Sequence, residues 1–145
     1  MTLLIREATG DDFDSLHHLN SDSLGYDYPK GKTRDRLDRI LQDEKAKVLV
    51  AEMNGAIVGY IHAVEYGCTY ADALVNLLAI AVDERFRRKG VARALLSAIE
   101  NWAKESGATG IRLSSGMNRA TAHKFYESCG YLCRKEQKNY KKLFK

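Results

Sequence analysis

The sequence predicts an α/β fold, a single domain in which a mixed sheet carries helices on its faces. Three observations lead there. Apolar positions alternate with period two through 47–53 and 57–65, and a third run, 74–82, is apolar on both faces. Apolar positions recur at helical spacing through 90–106 and 119–129. The two kinds of segment interleave in the order β-α-α-β-β-β-α-β-α-β-β, which is the pattern of layered α/β domains.

The elements follow in order. Residues 2–8 read as a strand. Asp11 or Asp12 can cap a helix whose apolar face is Phe13, Leu16 and Leu19. Residues 21–32 hold Gly25, Pro29 and Gly31 and read as a loop or broken helix, after which Thr33 can cap a short helix carrying Leu37, Ile40 and Leu41. Asn54-Gly55 between two alternating runs is a two-residue hairpin turn. Residues 66–72 read as a loop, and 74–82 as a central strand. The helix of 90–106 buries Val91, Leu95, Ala98, Ile99 and Trp102 and stops at Gly107. A short strand at 111–114 precedes the helix of 119–129, which ends at Gly130. Residues 131–134 and 138–144 read as two final strands.

Composition excludes several classes. A chain of 145 residues can bury one core without metals or disulfides. With 45% hydrophobic and 29% charged residues it is not a disordered chain. Its longest apolar stretch is the six residues Leu77 to Val82, far short of the roughly 20 that a membrane span needs. The N-terminus lacks the basic start and small-residue cleavage site of a secretory signal. Cys68, Cys129 and Cys133 are odd in number and lack CxxC spacing. They read as small buried residues in a reducing, cytoplasmic setting, with no metal role. A net charge of +4 permits an anionic ligand without requiring nucleic acid.

The sharpest local signal lies between the central strand and the long helix. Ile80, Ala81 and Val82 end the strand. Arg87, Arg88 and Lys89 make the loop basic, and Gly90, Val91, Ala92 and Arg93 open the helix. Unpaired N–H groups and the positive dipole end of a helix start bind phosphate, and glycine permits close approach. Neither a GxxxxGK[ST] loop nor a GxGxxG fingerprint is present. Taken alone, Arg-x-x-Gly-x-Ala is weak, and a solvated basic loop is the plainer reading of it.

Arg87-x-x-Gly90-x-Ala92 resembles the acetyl-coenzyme A motif of the GCN5-related N-acetyltransferase (GNAT) superfamily. Leu78-Ala79-Ile80-Ala81-Val82 is similar to the fourth strand of that family. Ala122-His123-Lys124-Phe125-Tyr126 with Gly130-Tyr131 is similar to its second motif, about thirty residues on. The resemblance covers nearly the whole chain and implies one GNAT domain over 1–145. Its sheet would be mostly antiparallel and splayed between strands four and five, with a bulge near Leu78 to Ile80.

The resemblance implies a cofactor and a chemistry. The pantetheine arm of acetyl-coenzyme A would pair with the backbone of Ile80, Ala81 and Val82. The pyrophosphate would lie on the N–H groups of Arg87 through Ala92, with Arg93 adding charge. Asn118 stands one residue before the family's pantetheine-binding asparagine position, which Arg119 occupies here. Asn118 can equally cap the helix. Tyr126 is the catalytic candidate, protonating the departing thiolate. A phenol near pKa 10 and a thiol near 8.5 are close enough for exchange. Phe125 and an exposed His123 read as packing and surface.

The general base is left open among Glu65, Asp72, His62 and water, because the histone-type glutamate position holds Asn76. Tyr26, Asp27, Tyr28, Glu65, Tyr66, Tyr70 and Asp72 would gather at the mouth and suit a small cationic amine or a peptide amine. The expected activity is acetyl transfer to a primary amine, with an oxyanion facing a strand N–H near Val82. The alternative is a non-catalytic acyl-coenzyme A sensor. Neither nucleic acid nor membrane is an expected partner, and a homodimer is left open. The final 134–145 stretch, with six basic residues in twelve, reads as a half-exposed strand.

Overall fold

In the computed structural model, which describes residues 2–144, the chain divides into two units, Met1–Leu113 and Ser114–Lys145. In the first unit, β1 (Leu3–Glu7), β2 (Ala46–Met53), β3 (Ala56–Cys68), β4 (Ala71–Val82) and β5 (Ile111–Arg112) form one sheet in that order. The first four strands pair antiparallel, and β4 pairs parallel to β5. Helices α1 (Phe13–Asp22) and α2 (Lys30–Leu41) connect β1 to β2, and α3 (Val91–Glu105) connects β4 to β5.

Local chemistry sets these elements. Asn54 and Gly55 take φ of 53° and 78°, as a tight turn between twisted strands requires. Asp12 stands at the start of α1, but its carboxylate faces away from the helix. It receives two guanidinium bonds from Arg6, at 2.8 and 2.9 Å, and one from the Thr9 N–H at 2.8 Å. The Arg6 Nε also donates to Glu52 at 2.7 Å, so one side chain ties β1 to β2 and to the entry of α1. The bonds from Arg6 hold the Asp12 carboxyl below its ordinary pKa.

Three boundaries differ from expectation. Thr33 does not cap α2: Pro29 stands before the first turn, where its missing N–H costs nothing, and Thr33 Oγ1 donates back to the Pro29 carbonyl at 3.1 Å. The expected loop at 66–72 is mostly strand, because Tyr66 pairs with Leu74 and Cys68 with Ala71. Residues 131–144 form no strand and find no ladder partner among the described residues, although apolar and polar side chains alternate there. Leu132, Leu143 and Phe144 stand exposed.

The core lies on both faces of the sheet. Leu16, Leu19 and Leu37 of α1 and α2 pack on Val48, Val50, Tyr60 and Ala81. The Tyr60 hydroxyl donates to Asn20, and burial pushes its pKa up to about 12. On the opposite face α3 buries Val91, Leu95, Leu96, Ile99 and Ala103, each large one worth about 1.5–3 kcal/mol. Ala98 and Trp102, expected in that face, are only half buried, as the stripe is centred on Leu95 and Ile99. All three cysteines are free, and none is fully buried: Cys133 is exposed and the other two intermediate, correcting the expectation of buried thiols.

In the second unit, α4 (Ala120–Ser128) begins after Arg119 and ends before Gly130, whose φ is 90°. The Tyr131 N–H closes the end by donating to the Tyr126 carbonyl at 3.0 Å.

Gly59 sets how closely α3 approaches β3. A Cβ there would stand 2.9 Å from the Ala81 carbonyl oxygen, 3.2 Å from Val91 and 3.3 Å from Leu95. Gly59→Ala is therefore expected to cost about 1–3 kcal/mol of stability through overpacking. Thermal unfolding checks it; an unchanged Tm would mean that α3 shifts freely on the sheet.

Candidate functional site

The site grows from a break in strand pairing. Strand β5 pairs with β4 only at Val75 with Ile111 and Asn76 with Arg112, while β4 runs on to Val82. Between those pairs and the strand end the β3–β4 register shifts. His62 pairs with Ala79 and Ala63 with Leu77, leaving Leu78 as the extra residue of a bulge. This is the expected bulge and the expected splay.

The direction of the backbone groups beyond the bulge follows from one bond. The Asp83 N–H donates to the Val58 carbonyl at 2.8 Å. By alternation, Ala79 and Ala81 turn their polar groups toward β3, and Ile80 and Val82 turn theirs to the open side. The Val82 carbonyl is met there by Ser23 Oγ at 3.1 Å. Of the three residues expected to meet the pantetheine, Ile80 and Val82 turn their backbone groups to the open side and Ala81 turns its own toward β3.

The strand then feeds a tight basic turn. Asp83 accepts from the Arg85 N–H at 2.9 Å and pairs with its guanidinium at 3.0 Å, which holds Arg85 down and the Asp83 carboxyl below its ordinary pKa. Arg87, Arg88 and Lys89 are exposed. Arg88 and Gly90 take left-handed φ values of 64° and 81°. Such turns aim successive N–H groups into a concavity that favours anions. The first helical bond of α3 runs from Ala94 N–H to the Gly90 carbonyl at 3.0 Å. The N–H groups of Val91 and Ala92 therefore have no carbonyl one turn earlier in the helix. Of the sequence-predicted residues, 87–90 form the turn and 91–93 the first turn of α3.

A second group of side chains occupies the face of the sheet that carries Tyr60. His62, Val64 and Tyr66 of β3 share it by alternation, with Asn76 and Arg112 from the neighbouring strands. Arg112 donates to Asn76 Oδ1 at 2.7 Å, and its guanidinium carbon lies 4.7 Å from the Tyr66 ring centroid. The His62 Nε2 is buried without a hydrogen-bond partner. Burial, and secondarily the charge of Arg36, keep the imidazole below its ordinary pKa. Glu65 lies on the opposite face with Val75. Tyr26 and Tyr28 stand exposed in the segment before α2, and Tyr70 in the turn between β3 and β4.

Within the second unit, Tyr126 packs beside Phe125 and Tyr131, with ring centroids 5.5 and 6.1 Å away. Burial raises its phenol pKa, and the charge of Arg119 works against that rise. Asn118 is exposed and does not cap α4, since Arg119 holds the cap position. His123, expected to be exposed, is half buried with Nε2 2.8 Å from the Gly116 carbonyl. Among the described residues no His, Cys, Asp and Glu cluster could hold a metal. Arg112 is the residue that sequence reasoning passed over. Its two-residue strand carries no motif, and only the ladder to Asn76 gives it a place.

Comparison with known proteins adds to this geometry. Residues 13–131 match the acetyltransferase (GNAT) family. The aminoalkylphosphonate N-acetyltransferase of Salmonella typhimurium is 28% identical over 128 residues, 88% of this chain and 83% of that protein. N-acetylaspartate synthetase of Rattus norvegicus is 35% identical over 82 residues, 57% of this chain. That match spans only 26% of the synthetase. The structure of AAC(6')-Iy in complex with a coenzyme A bisubstrate analogue superposes with a TM-score of 0.87 at 21% identity. It covers 99% of this chain and all of that one, which establishes a shared fold.

His62 makes stability depend on pH. Its pKa is depressed in the folded chain, so the unfolded chain takes up the proton first as pH falls. Its contribution is complete above the ordinary value of about 6.5 and is lost as pH falls through the folded value. His62→Gln should therefore flatten the loss of stability below about pH 6.5. Denaturant midpoints across pH check this; parallel curves would mean that His62 titrates normally.

Proposed function

The chain belongs to the acetyltransferase (GNAT) family, and from there we propose that it moves the acetyl group of acetyl-coenzyme A to a primary amine. One observation carries the proposal: β4, open-sided at Ile80 and Val82, is joined by the short turn of 83–87 to the left-handed residues Arg88 and Gly90 and the start of α3. A strand edge suits the amide-bearing pantetheine arm, and the turn with Arg87, Arg88 and Lys89 suits the diphosphate. Arg93 adds charge on the first turn of α3, and Asn118 is proposed, from the resemblance alone, for a pantetheine contact. On this reading residues 1–145 act as one N-acetyltransferase domain.

The chemistry is addition to a thioester carbonyl, then expulsion of a thiolate. The amine must first lose a proton, because an alkylamine near pKa 10 is mostly charged at neutral pH. Of the bases named from sequence, His62 fits best. It stays neutral, shares a face with Asn76 and Arg112, and has an unpartnered Nε2. The outward N–H of Ile80 or Val82 is the donor proposed for the oxyanion. Tyr126 is the proposed acid. Its raised pKa keeps the phenol protonated at neutral pH, ready to give a proton as the C–S bond breaks. Transfer from a phenol to a thiolate is uphill by about 2 kcal/mol between ordinary pKa values; burial of Tyr126 adds to that cost, and the Arg119 charge offsets part of the addition.

The acceptor is a small-molecule or peptide amine. The names of the two curated relatives, an aminoalkylphosphonate acetyltransferase and a synthetase of N-acetylaspartate, accord with a small acceptor. No helix among the described residues is long and apolar enough to cross a membrane, and the three free thiols fit the proposed cytoplasmic setting.

Release of free thiol from acetyl-coenzyme A over an amine library tests the activity. Turnover is expected; tight coenzyme A binding with no turnover on a broad library would favour the sensor. Gly90→Asp should weaken coenzyme A binding at least tenfold with little change in Tm. It places a carboxylate at the diphosphate and a side chain at a φ of 81°. Unchanged affinity in a folded variant would place the cradle elsewhere. Tyr126→Phe keeps the ring and removes the hydroxyl. A fall in kcat of about 100-fold with unchanged coenzyme A affinity is expected. A change under threefold would make Tyr126 a packing residue.

A further inference from the structure

The Arg112 side chain sits at the closed end of the gap beside β4. The ladder to β5 stops at Asn76 with Arg112, two residues before the bulge at Leu78. At about 3.3 Å per residue, the guanidinium-bearing pair lies roughly 7 Å along the strand from the bulge. If the diphosphate lies at the turn of 88–92, the cofactor arm runs back along Val82 and Ile80 toward that bulge. Its reactive end then points at the Arg112 face. All of these residues belong to the first unit.

The local chemistry is that of a held cation. One of the five guanidinium N–H groups is used by Asn76 Oδ1 at 2.7 Å, and the plane is steadied 4.7 Å from the Tyr66 ring centroid. Arg112 is half buried, and no carboxylate among the described residues pairs with it. Arg6 and Arg85, by contrast, are each paired with an aspartate. Tyr66 was expected to offer its ring to a cationic substrate, but that ring already faces the chain's own cation. The sheet therefore presents a fixed positive charge at the acceptor end.

We propose that Arg112 binds an anionic group of the acceptor, so that the substrate is an amine that also carries a carboxylate or phosphonate. Asn76 and Tyr66 are positioning residues for that contact. A guanidinium held by a neutral amide and a ring keeps its remaining donors for a bidentate anion, which an ammonium could not match. The inference rests on the acetyl-transfer reading and narrows its acceptor. It replaces the simple cationic amine expected from the loop residues with a zwitterionic one.

The test compares matched acceptors, β-alanine and 2-aminoethylphosphonate against propylamine, in wild type, Arg112→Gln and Arg112→Lys. Each is followed by thiol release and by calorimetric binding to the protein saturated with coenzyme A. The expected wild-type result is kcat/KM at least tenfold higher for the anionic amines, falling with added salt. Arg112→Gln should erase that preference through KM, the loss falling on β-alanine and 2-aminoethylphosphonate far more than on propylamine, with coenzyme A affinity unchanged. Arg112→Lys should retain part of it. Equal or better use of propylamine by wild type would overturn the proposal, as would a preference that survives in Arg112→Gln. If no amine turns over, the acetyl-transfer reading fails by itself, and calorimetry still decides Arg112. Anion-dependent binding lost in Arg112→Gln supports the contact; equal binding of all three amines overturns it.

Discussion

The open side of β4 is the constraint from which the rest of the site follows. A buried strand must place every backbone N–H and C=O with a partner. Strand β4 does so on one side through its ladder to β3. On the other side its ladder ends at Asn76, and past the bulge at Leu78 the strand has no ladder partner there among the described residues. Ser23 meets the Val82 carbonyl, while the outward groups of Ile80 and the Val82 N–H remain turned to the gap. A ligand that can act as a short strand is the natural complement to such an edge.

The surroundings give that gap two unlike ends. At one end Gly90 and Arg88, both left-handed, turn the chain so that the start of α3 meets the strand end, and the loop cations stand free in solvent. Screening leaves such exposed charges individually weak, so backbone geometry rather than the number of arginines must carry most of the anion affinity. At the other end Arg112 is sheltered, oriented by Asn76 and Tyr66, and hence worth more per charge. His62, paired with Ala79 on the β3 side of β4, is held below its ordinary pKa by burial. The sheet that supports this arrangement is held from both faces, by α1 and α2 on one and by α3 pressed against Gly59 on the other.

Much of this was legible in the chain because it rests on local signals. Asn54-Gly55 fixes its hairpin through the φ values that only such residues adopt easily, and Gly90 marks the helix start in the same way. The period changes at 47 and 90 located the strands and α3. What could not be read depends on partners distant in sequence. Thr33 looked like a cap because Pro29 and the carbonyl it offers lay outside the short helical pattern. The final alternation at 131–144 described side chains suited to a strand, but alternation does not supply a neighbour to bond with. Arg112 had no signature at all: its meaning comes from Asn76, thirty-six residues earlier, and from Tyr66 across the sheet. Only the register joins them.

Amide chemical shifts on titration with coenzyme A test the central role of the open strand edge most directly. Binding should move and protect the Ile80 and Val82 amides and those of residues 88–92, while the Ala81 amide, already bonded within the sheet, should change less. Saturable binding that left Ile80 and Val82 unmoved, with shifts confined to another surface, would contradict it.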